Sequence, residues 1–310
     1  MVPGRQSSSG KFVCLTLPLY DVAFSWRRMT HRPARLFEHE FFVRGVREPV
    51  RRVRIGDRWV DMWIPRDTPS GVIIAHDGQN LLDDRSATHR QTWQAARAAV
   101  VAARRVGVPP PAVVGVWNGS TALNPYQRGH QLAPEKLLVK GVAVDPQVAD
   151  WFDVSRLEGD RYLSEVCDRI VPHVMSTIGA EAPIAMMGAS MGGLATIYAL
   201  GERPDMFQCG LAFSIHWPLA GNPLVDGLID RLPDVGRVRL WMQNGTGGLD
   251  ASYAPFQRRA DERLVTRGYR RDRDFVSRVL RRSGHNEWSW AKRLPDAIAW
   301  WLFHHQSGKE

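Results

Sequence analysis

A serine lies between small residues at the point where an apolar run gives way to a helical pattern. Ser190 is flanked by Gly188 and Gly192, after the apolar run 184–187 and before the apolar-faced segment 194–200. The pattern Gly-x-Ser-x-Gly between a strand and a helix presents a serine hydroxyl on a sharp turn. Glycines let the strand and the helix approach closely, and the helix N-terminus offers N–H groups to a developing oxyanion. We therefore predict that Ser190 is a nucleophile.

A serine hydroxyl becomes reactive when a base takes its proton and a third group orients that base. The chain has ten histidines, and His285 follows the last predicted strand, where we place the base. His216, just after another predicted strand, is the alternative base. Asp250 follows the glycine-rich segment 245–248 and is the predicted acid, although the same position suits the N-cap of the next helix. The alternative acids within that helix are Asp261 and Glu262.

Acyl chemistry at a serine also needs donors for the oxyanion. The expected donors are the backbone N–H of Met191, after the nucleophile, and that of Gln79, in a polar loop after the third strand. Polar and aromatic side chains near the strand ends, or in the long irregular segment 118–157, are candidates for substrate binding. These predicted substrate-binding residues are Asp77, Asn118, Arg128, His216, Trp217 and Trp288.

The elements that must position these residues alternate along the chain. A hairpin is predicted over 50–64, followed by strands near residues 71–75, 112–117, 184–187, 210–215, 238–242 and 274–280. Helices are predicted between most of them, over 88–105, 162–178, 194–201, 253–267 and 288–303. This order predicts an α/β fold with a mostly parallel eight-stranded sheet and helices on both faces. Sites in such sheets lie beyond the carboxyl ends of the strands, where the predicted site residues cluster.

Charge is concentrated at the start of the chain. The 310 residues carry a net charge of +9, but residues 1–54 hold 11 Lys or Arg against 4 Asp or Glu. Residues 1–35 are predicted to be a basic, poorly ordered extension, and residues 36–310 a single domain. Because the rest of the chain is nearly neutral, we expect no nucleic-acid partner.

The three cysteines are far apart and fit neither a disulfide framework nor a zinc cluster. No motif indicates a metal or another cofactor, and we expect none. The apolar run 12–24 is interrupted by Asp21 and is too short to span a bilayer. We expect a cytoplasmic protein, with export left open, and the sequence does not specify an oligomeric state.

The chain resembles the putative-esterase group of α/β-hydrolases, which includes esterase D-like proteins, enterochelin esterases and feruloyl esterases. The resemblance spans about residues 70–305. Its motifs are Asp77-Gly78-Gln79-Asn80, Tyr162-Leu163-Ser164-Glu165, Gly188-Ala189-Ser190-Met191-Gly192-Gly193, the segment from Gly245 to Asp250, and Gly284-His285-Asn286. It implies an α/β-hydrolase fold with Ser190, Asp250 and His285 as nucleophile, acid and base. The chain departs from the group at Gln131-Leu132, where Glu-Tyr is expected after the arginine, here Arg128.

These observations predict a serine hydrolase that cleaves small-molecule carboxylic esters through an acyl-enzyme on Ser190. Two alternatives remain open on the same residues. One is an acyltransferase, in which an alcohol replaces water. The other is a binding protein with the hydrolase fold and no turnover.

Overall fold

Nine strands form one sheet in the computed structural model, which describes residues 38–306. The predicted extension 1–35 lies outside the described residues. The strands are β1 (His39–Phe41), β2 (Val50–Ile55), β3 (Arg58–Trp63), β4 (Val72–His76), β5 (Ala112–Val116), β6 (Ile184–Ala189), β7 (Cys209–Phe213), β8 (Arg239–Gly245) and β9 (Phe275–Leu280). Their order across the sheet is β1-β2-β3-β5-β4-β6-β7-β8-β9.

The predicted count of eight strands is one too low. The additional strand, β1, has only three residues and pairs antiparallel with β2. A strand this short shows no alternation that could distinguish it from a loop, so only its pairing reveals it. The β2–β3 hairpin and β3–β5 are also antiparallel, whereas all pairs from β5 through β9 are parallel. The predicted α/β class with a mostly parallel sheet is confirmed.

Nine α-helices lie between residues 38 and 306. They are α1 (Ala95–Val106), α2 (Gln127–Gln131), α3 (Glu135–Val139), α4 (Gly159–Glu165), α5 (Val171–Ile178), α6 (Met191–Glu202), α7 (Gly221–Asp230), α8 (Ala254–Thr266) and α9 (Glu287–Gln306). The short helices α2 and α3 lie in the segment 118–157, which was predicted to be irregular. None of the helices in this part of the chain combines the length and apolar character that crossing a membrane requires.

The helix predicted over 162–178 is interrupted. A π-helical turn, Val166–Ile170, separates α4 from α5, and Pro172 follows it in the first turn of α5. Proline has no backbone N–H and cannot make the regular helical bond to residue 168. The wider π turn accommodates this missing bond.

Helices cover both faces of the sheet because successive strand side chains point to opposite faces. On β4, Val72 and Ile74 belong to one buried cluster and Ile73 to another. The first cluster includes side chains of α4 to α8, and the second includes those of α1 and α9. Parallel strands covered on both sides must be apolar throughout, and every residue of β4 to β7 is buried.

The register of the central strands sets the position of the site. Ala189 at the end of β6 pairs with Phe213 at the end of β7, and Phe213 pairs with Gln243 on β8. The residues after these positions therefore emerge at the same edge of the sheet. Ser190 and Ser214 are neighbours for this reason.

Candidate active site

The turn from β6 to α6 holds Ser190 in an unusual backbone conformation. Its φ and ψ are 59° and −122°, a region that non-glycine residues rarely occupy and that is typical of strained functional positions. A Cβ on Gly188 would lie 2.5 Å from the carbonyl oxygen of Gly192, so only glycine allows this close approach. The predicted sharp strand–turn–helix geometry at Ser190 is thus present.

Asp250 and His285 meet at the same edge of the sheet. His285 Nδ1 lies 2.7 Å from Asp250 Oδ1, which makes Nδ1 the protonated nitrogen when the carboxylate accepts. Asp250 is almost completely buried, and its Oδ2 accepts hydrogen bonds from Ser214 Oγ and from the backbone N–H of Gly245, both at 2.6 Å. The carboxylate is therefore held by three donors.

The alternative role of Asp250 as a helix cap has no support in the geometry. The N-cap of α8 is Tyr253, and no side chain caps that helix. The carboxylate of Asp250 instead contacts His285 and its two other donors. Neither Asp261 nor Glu262 contacts His285: Asp261 pairs with Arg271, and Thr266 Oγ1 donates to the backbone carbonyl of Glu262.

Sequence reasoning missed two residues of this network. Ser214 accepts a hydrogen bond of 2.9 Å from Trp290 Nε1 while it donates to Asp250. The Trp290 ring also meets the His285 ring edge to face, with centroids 5.2 Å apart. The position of Ser214 directly after β7 was a signal that could have identified it. No local pattern singles out Trp290.

The two predicted oxyanion donors both lie in segments that follow strands of the sheet. Met191 begins α6, and Gln79 lies in a 3₁₀ turn, Gly78–Asn80, that follows β4. Within residues 38–306, neither backbone N–H donates to a protein acceptor. A Cβ on Gly78 would lie 2.3 Å from the carbonyl group of Gly115, so this turn can pack against β5 only with glycine.

Asp77, Arg128 and Asn118, three predicted substrate-binding residues, bind one another. Arg128 Nε and Nη2 donate to the two carboxylate oxygens of Asp77 at 2.7 and 2.6 Å, and Asn118 Nδ2 donates to Oδ1 at 2.8 Å. Arg128 Nη2 also lies 3.3 Å from the carbonyl oxygen of Ala189, next to the nucleophile. These three side chains form a hydrogen-bonded cluster that contacts the main chain directly before Ser190.

The charge state of Asp77 follows from these contacts. Burial raises the pKa of its carboxyl, but the Arg128 guanidinium and its hydrogen bonds outweigh burial and hold the pKa below its usual range. Asp77 itself has a φ of 57°, a left-handed conformation that Asp adopts more readily than most residues. The ion pair therefore stabilises an uncommon turn.

His216, the alternative base, bonds to a tyrosine and not to a carboxylate. Its Nδ1 lies 2.6 Å from Tyr253 Oη, and its backbone N–H donates to the carbonyl oxygen of Ser190 at 3.2 Å. Burial, with the nearby Arg128 guanidinium, lowers the pKa of His216 to about 3. His216 thus lies beside the nucleophile as a neutral imidazole.

The two predicted tryptophans have different environments. Trp217 has no exposed surface and packs in the apolar core, and its role in substrate binding stays a prediction. Trp288 is 65% exposed on the first turn of α9, with Lys292 Nζ 5.5 Å from its ring centroid. Its role in substrate binding stays a prediction.

Among the described residues, no group of three or more His, Cys, Asp or Glu side chains is arranged to hold a metal ion. The chemistry available at this edge of the sheet is that of a serine hydroxyl, a carboxylate-bound imidazole and free backbone N–H groups.

Comparison with known proteins identifies the family. A family model described as putative esterase matches residues 57–301. No curated protein sequence matches the chain. The solved structures to which the chain is similar include the enterobactin esterase of Shigella flexneri, with 14% identity and a TM-score of 0.54 over 87% of this chain and 59% of that one.

Two further solved structures are similar along most of their length. The siderophore hydrolase EstA of Aspergillus nidulans shares 15% identity, with a TM-score of 0.52 over 82% of this chain and 91% of that one. An IroE-like serine hydrolase of Shewanella oneidensis shares 17% identity, with a TM-score of 0.54 over 85% of this chain and 78% of that one. At such identities the likeness establishes the fold, and the predicted α/β-hydrolase fold is confirmed.

This chain spans about three fifths of the length of the Shigella enterobactin esterase. The family match covers most of this chain, from the β2–β3 turn into α9. The chain therefore belongs to the putative esterase family.

Proposed function

We propose that this enzyme is a serine esterase that works through an acyl-enzyme on Ser190, with His285 as base and Asp250 as the group that orients it. The observation that carries the proposal is the 2.7 Å contact of a buried carboxylate with His285 Nδ1, at the sheet edge where Ser190 sits on its strained turn. A carboxylate on Nδ1 leaves Nε2 free to accept a proton.

In the acylation step, Ser190 Oγ attacks the ester carbonyl carbon while His285 Nε2 takes the hydroxyl proton. The carbonyl oxygen becomes an oxyanion, which the N–H groups of Met191 and Gln79 stabilise. The intermediate collapses when the bond to the alcohol oxygen breaks and His285 returns the proton to that oxygen. Water then attacks the acyl-enzyme by the same route and regenerates Ser190.

The Ser190 hydroxyl makes no hydrogen bond to His285 or to any other side chain in the described part of the chain. Contacts between nucleophile and base are often long in enzymes without substrate and shorten when substrate binds. Two hydrogen bonds already fix the nucleophile's backbone: Ser190 N to the carbonyl of Phe213 at 3.0 Å, and His216 N to the carbonyl of Ser190 at 3.2 Å.

The test is covalent labelling of the purified full chain by a fluorophosphonate, together with hydrolysis of a panel of esters. The panel contains aryl esters of rising acyl length and, because two solved relatives are named for enterobactin and siderophores, a siderophore ester. Ser190→Ala should fold, lose turnover and lose labelling. Ser164→Ala, at a half-buried serine of α4, is the matched control and should retain both. Labelling of the Ser190→Ala variant at another serine would overturn the proposal.

A further inference from the structure

The segment after β7 lies directly against the nucleophile. Ser190 N–H donates to the carbonyl oxygen of Phe213, and the backbone N–H of His216 donates to the carbonyl oxygen of Ser190. These two bonds fix the main chain of His216 relative to the serine. The imidazole of His216 therefore has a defined place beside the reacting group.

A buried tyrosine is the hydrogen-bond partner of one ring nitrogen of His216. Tyr253 Oη lies 2.6 Å from His216 Nδ1, and Tyr253 is 1% exposed. Burial raises the pKa of Tyr253, so its hydroxyl keeps its proton. Among the described residues Nδ1 is the only partner of that hydroxyl, so the hydroxyl proton has an acceptor there only when Nδ1 is the unprotonated nitrogen.

A neutral imidazole that accepts at Nδ1 carries its proton on Nε2. His216 stays neutral because burial and the nearby Arg128 guanidinium disfavour its protonated form. Its Nε2 has no hydrogen-bond partner among residues 38–306. The atom is nevertheless not buried. This nitrogen is thus accessible to solvent and free of a protein partner in the described part of the chain.

The same tyrosine also contacts the candidate base. The ring of Tyr253 meets His216 at a centroid distance of 5.9 Å and His285 at 5.8 Å, both close to edge to face. The two imidazoles therefore flank one aromatic ring. His285 has a carboxylate partner on Nδ1, so its Nε2 is a free acceptor. His216 has a hydroxyl partner on Nδ1, so its Nε2 is a free donor when Nδ1 accepts.

We propose that His216 is a specificity-determining residue whose Nε2–H donates a hydrogen bond to a substrate oxygen near the scissile ester group. The substrate class is therefore an ester with a hydroxyl, ether or carbonyl oxygen close to the ester group, in preference to a plain alkyl ester. Tyr253 is the positioning residue that holds His216 in the donating tautomer. The inference rests on the proposed serine-esterase function and specifies its substrate.

The test compares pairs of esters of nearly equal shape. One pair is 4-nitrophenyl butanoate and 4-nitrophenyl methoxyacetate, in which an ether oxygen replaces a methylene of the acyl chain. The other is butyl acetate and 2-methoxyethyl acetate, with the oxygen on the alcohol side. The quantity measured is the ratio of kcat/KM for the ether ester to that for the alkyl ester. Dividing the wild-type ratio by that of a variant cancels the intrinsic reactivity of the esters.

His216→Phe should lower this ratio by about tenfold in at least one pair, the effect of losing one hydrogen bond to the substrate. His216→Gln keeps an N–H donor on a side chain of similar reach and should restore part of the ratio. A ratio that changes by less than about twofold in both pairs would overturn the proposal. Thermal unfolding of each variant shows whether it folds.

Tyr253→Phe should also lower the ratio, because the proton of His216 is then free to move to Nδ1. Tyr269→Phe is the matched control: Tyr269 is 2% exposed, and its hydroxyl donates to the carbonyl of Pro233 at 2.6 Å. It should leave the ratio unchanged. If both tyrosine variants change the ratio equally, the role of Tyr253 is merely structural and the tautomer argument is wrong.

A second measurement separates this inference from the proposed function. Nitrogen NMR of the full chain with labelled histidine should show His216 protonated at Nε2 and not at Nδ1, and Tyr253→Phe should alter that pattern. A proton on Nδ1 would overturn the inference even if esters are hydrolysed. If wild type hydrolyses no ester while His216 shows the expected tautomer, the proposed function fails and the assignment of the donor stands.

Discussion

The hydroxyl of Ser214 donates a 2.6 Å hydrogen bond to Oδ2 of Asp250, the oxygen that does not contact His285. Ser214 in turn accepts from Trp290 Nε1 at 2.9 Å. The carboxylate therefore cannot rotate without breaking a buried bond on one side or the other. This fixed orientation is what an acid must have to hold the Nδ1–H tautomer of its histidine.

Changing Asp250 to Asn keeps the size of the side chain but removes the charge. We expect Asp250→Asn to fold and to lose about 10⁴-fold in turnover, because the amide stabilises neither the correct tautomer nor the imidazolium of His285. Steady-state hydrolysis of an aryl ester measures the effect. Asp261→Asn is the matched control, since Asp261 pairs with Arg271 and not with a histidine. Near-normal turnover in Asp250→Asn, or a large loss in the control, would contradict the assignment.

Ser214→Ala removes one donor from Asp250 and leaves the N–H of Trp290 without an acceptor. We expect a loss of about 1–3 kcal/mol in the free energy of unfolding, because a buried polar group becomes unsatisfied. We also expect lower turnover, since the carboxylate can then rotate away from His285. Urea unfolding and ester hydrolysis measure the two effects.

Ser277→Ala is the control for this experiment. Ser277 Oγ accepts from Gln257 Nε2 at 2.9 Å on β9, so its removal also breaks a side-chain hydrogen bond. That bond does not touch Asp250 or His285. Ser277→Ala should lose stability without losing turnover. Equal turnover in the two variants would show that Ser214 has no positioning role.

Asp77→Asn tests the ion pair with Arg128. Asn tolerates the left-handed backbone at this position, so the change reports the lost charge. Near neutral pH we expect a loss of about 3 kcal/mol in the free energy of unfolding, because Arg128 is left without its carboxylate. The folded-state pKa of Asp77 is below its unfolded value, so this stability is present above about pH 4 and is lost as the pH falls through the folded pKa.

Urea unfolding of wild type and Asp77→Asn from neutral pH into the acid range measures this linkage. The difference in unfolding free energy between them should shrink as the pH falls below about 4. A difference that stays constant across the whole range would mean that the ion pair does not cause the loss.

His76 makes the wild type sensitive to acid for a different reason. It is 3% exposed, its Nδ1 lies 2.8 Å from Tyr162 Oη, and burial lowers its pKa from 6.5 to about 4. Between these values the unfolded chain binds a proton that the folded chain does not, so stability falls as the pH falls. The contribution of His76 to this loss is up to about 3 kcal/mol.

His76→Phe should reduce the slope of unfolding free energy against pH in that window by up to about 1.4 kcal/mol per pH unit. The variant is less stable overall because Tyr162 loses its partner, but the slope is independent of that offset. His173→Gln is the control, since His173 is exposed on α5. An unchanged slope in His76→Phe would show that the pKa of His76 does not differ between the folded and the unfolded chain.

The sequence by itself determined the class of fold and the local geometry of the candidate nucleophile. Continuous apolar runs separated by amphipathic helices specify a parallel sheet covered on both sides. Gly188, Ser190 and Gly192 specify a tight turn because the contact across it leaves no room for a side chain at Gly188. The order of Ser190, Asp250 and His285 along the chain, each near a strand end, was likewise readable, because parallel strands bring their carboxyl ends to one edge.

Only the tertiary structure decided which side chains at that edge touch. Trp290 reaches Ser214 across 76 positions of chain, and Arg128 reaches Asp77 across 51. Trp217, just past the same strand as His216, is completely buried, while His216 keeps part of its surface accessible. Periodicity and motif spacing describe neighbours along the chain, whereas these contacts depend on how strands pair and helices pack over long separations. That is why the strands and the serine turn could be read from the sequence, but not the hydrogen bonds that orient Asp250 and His216.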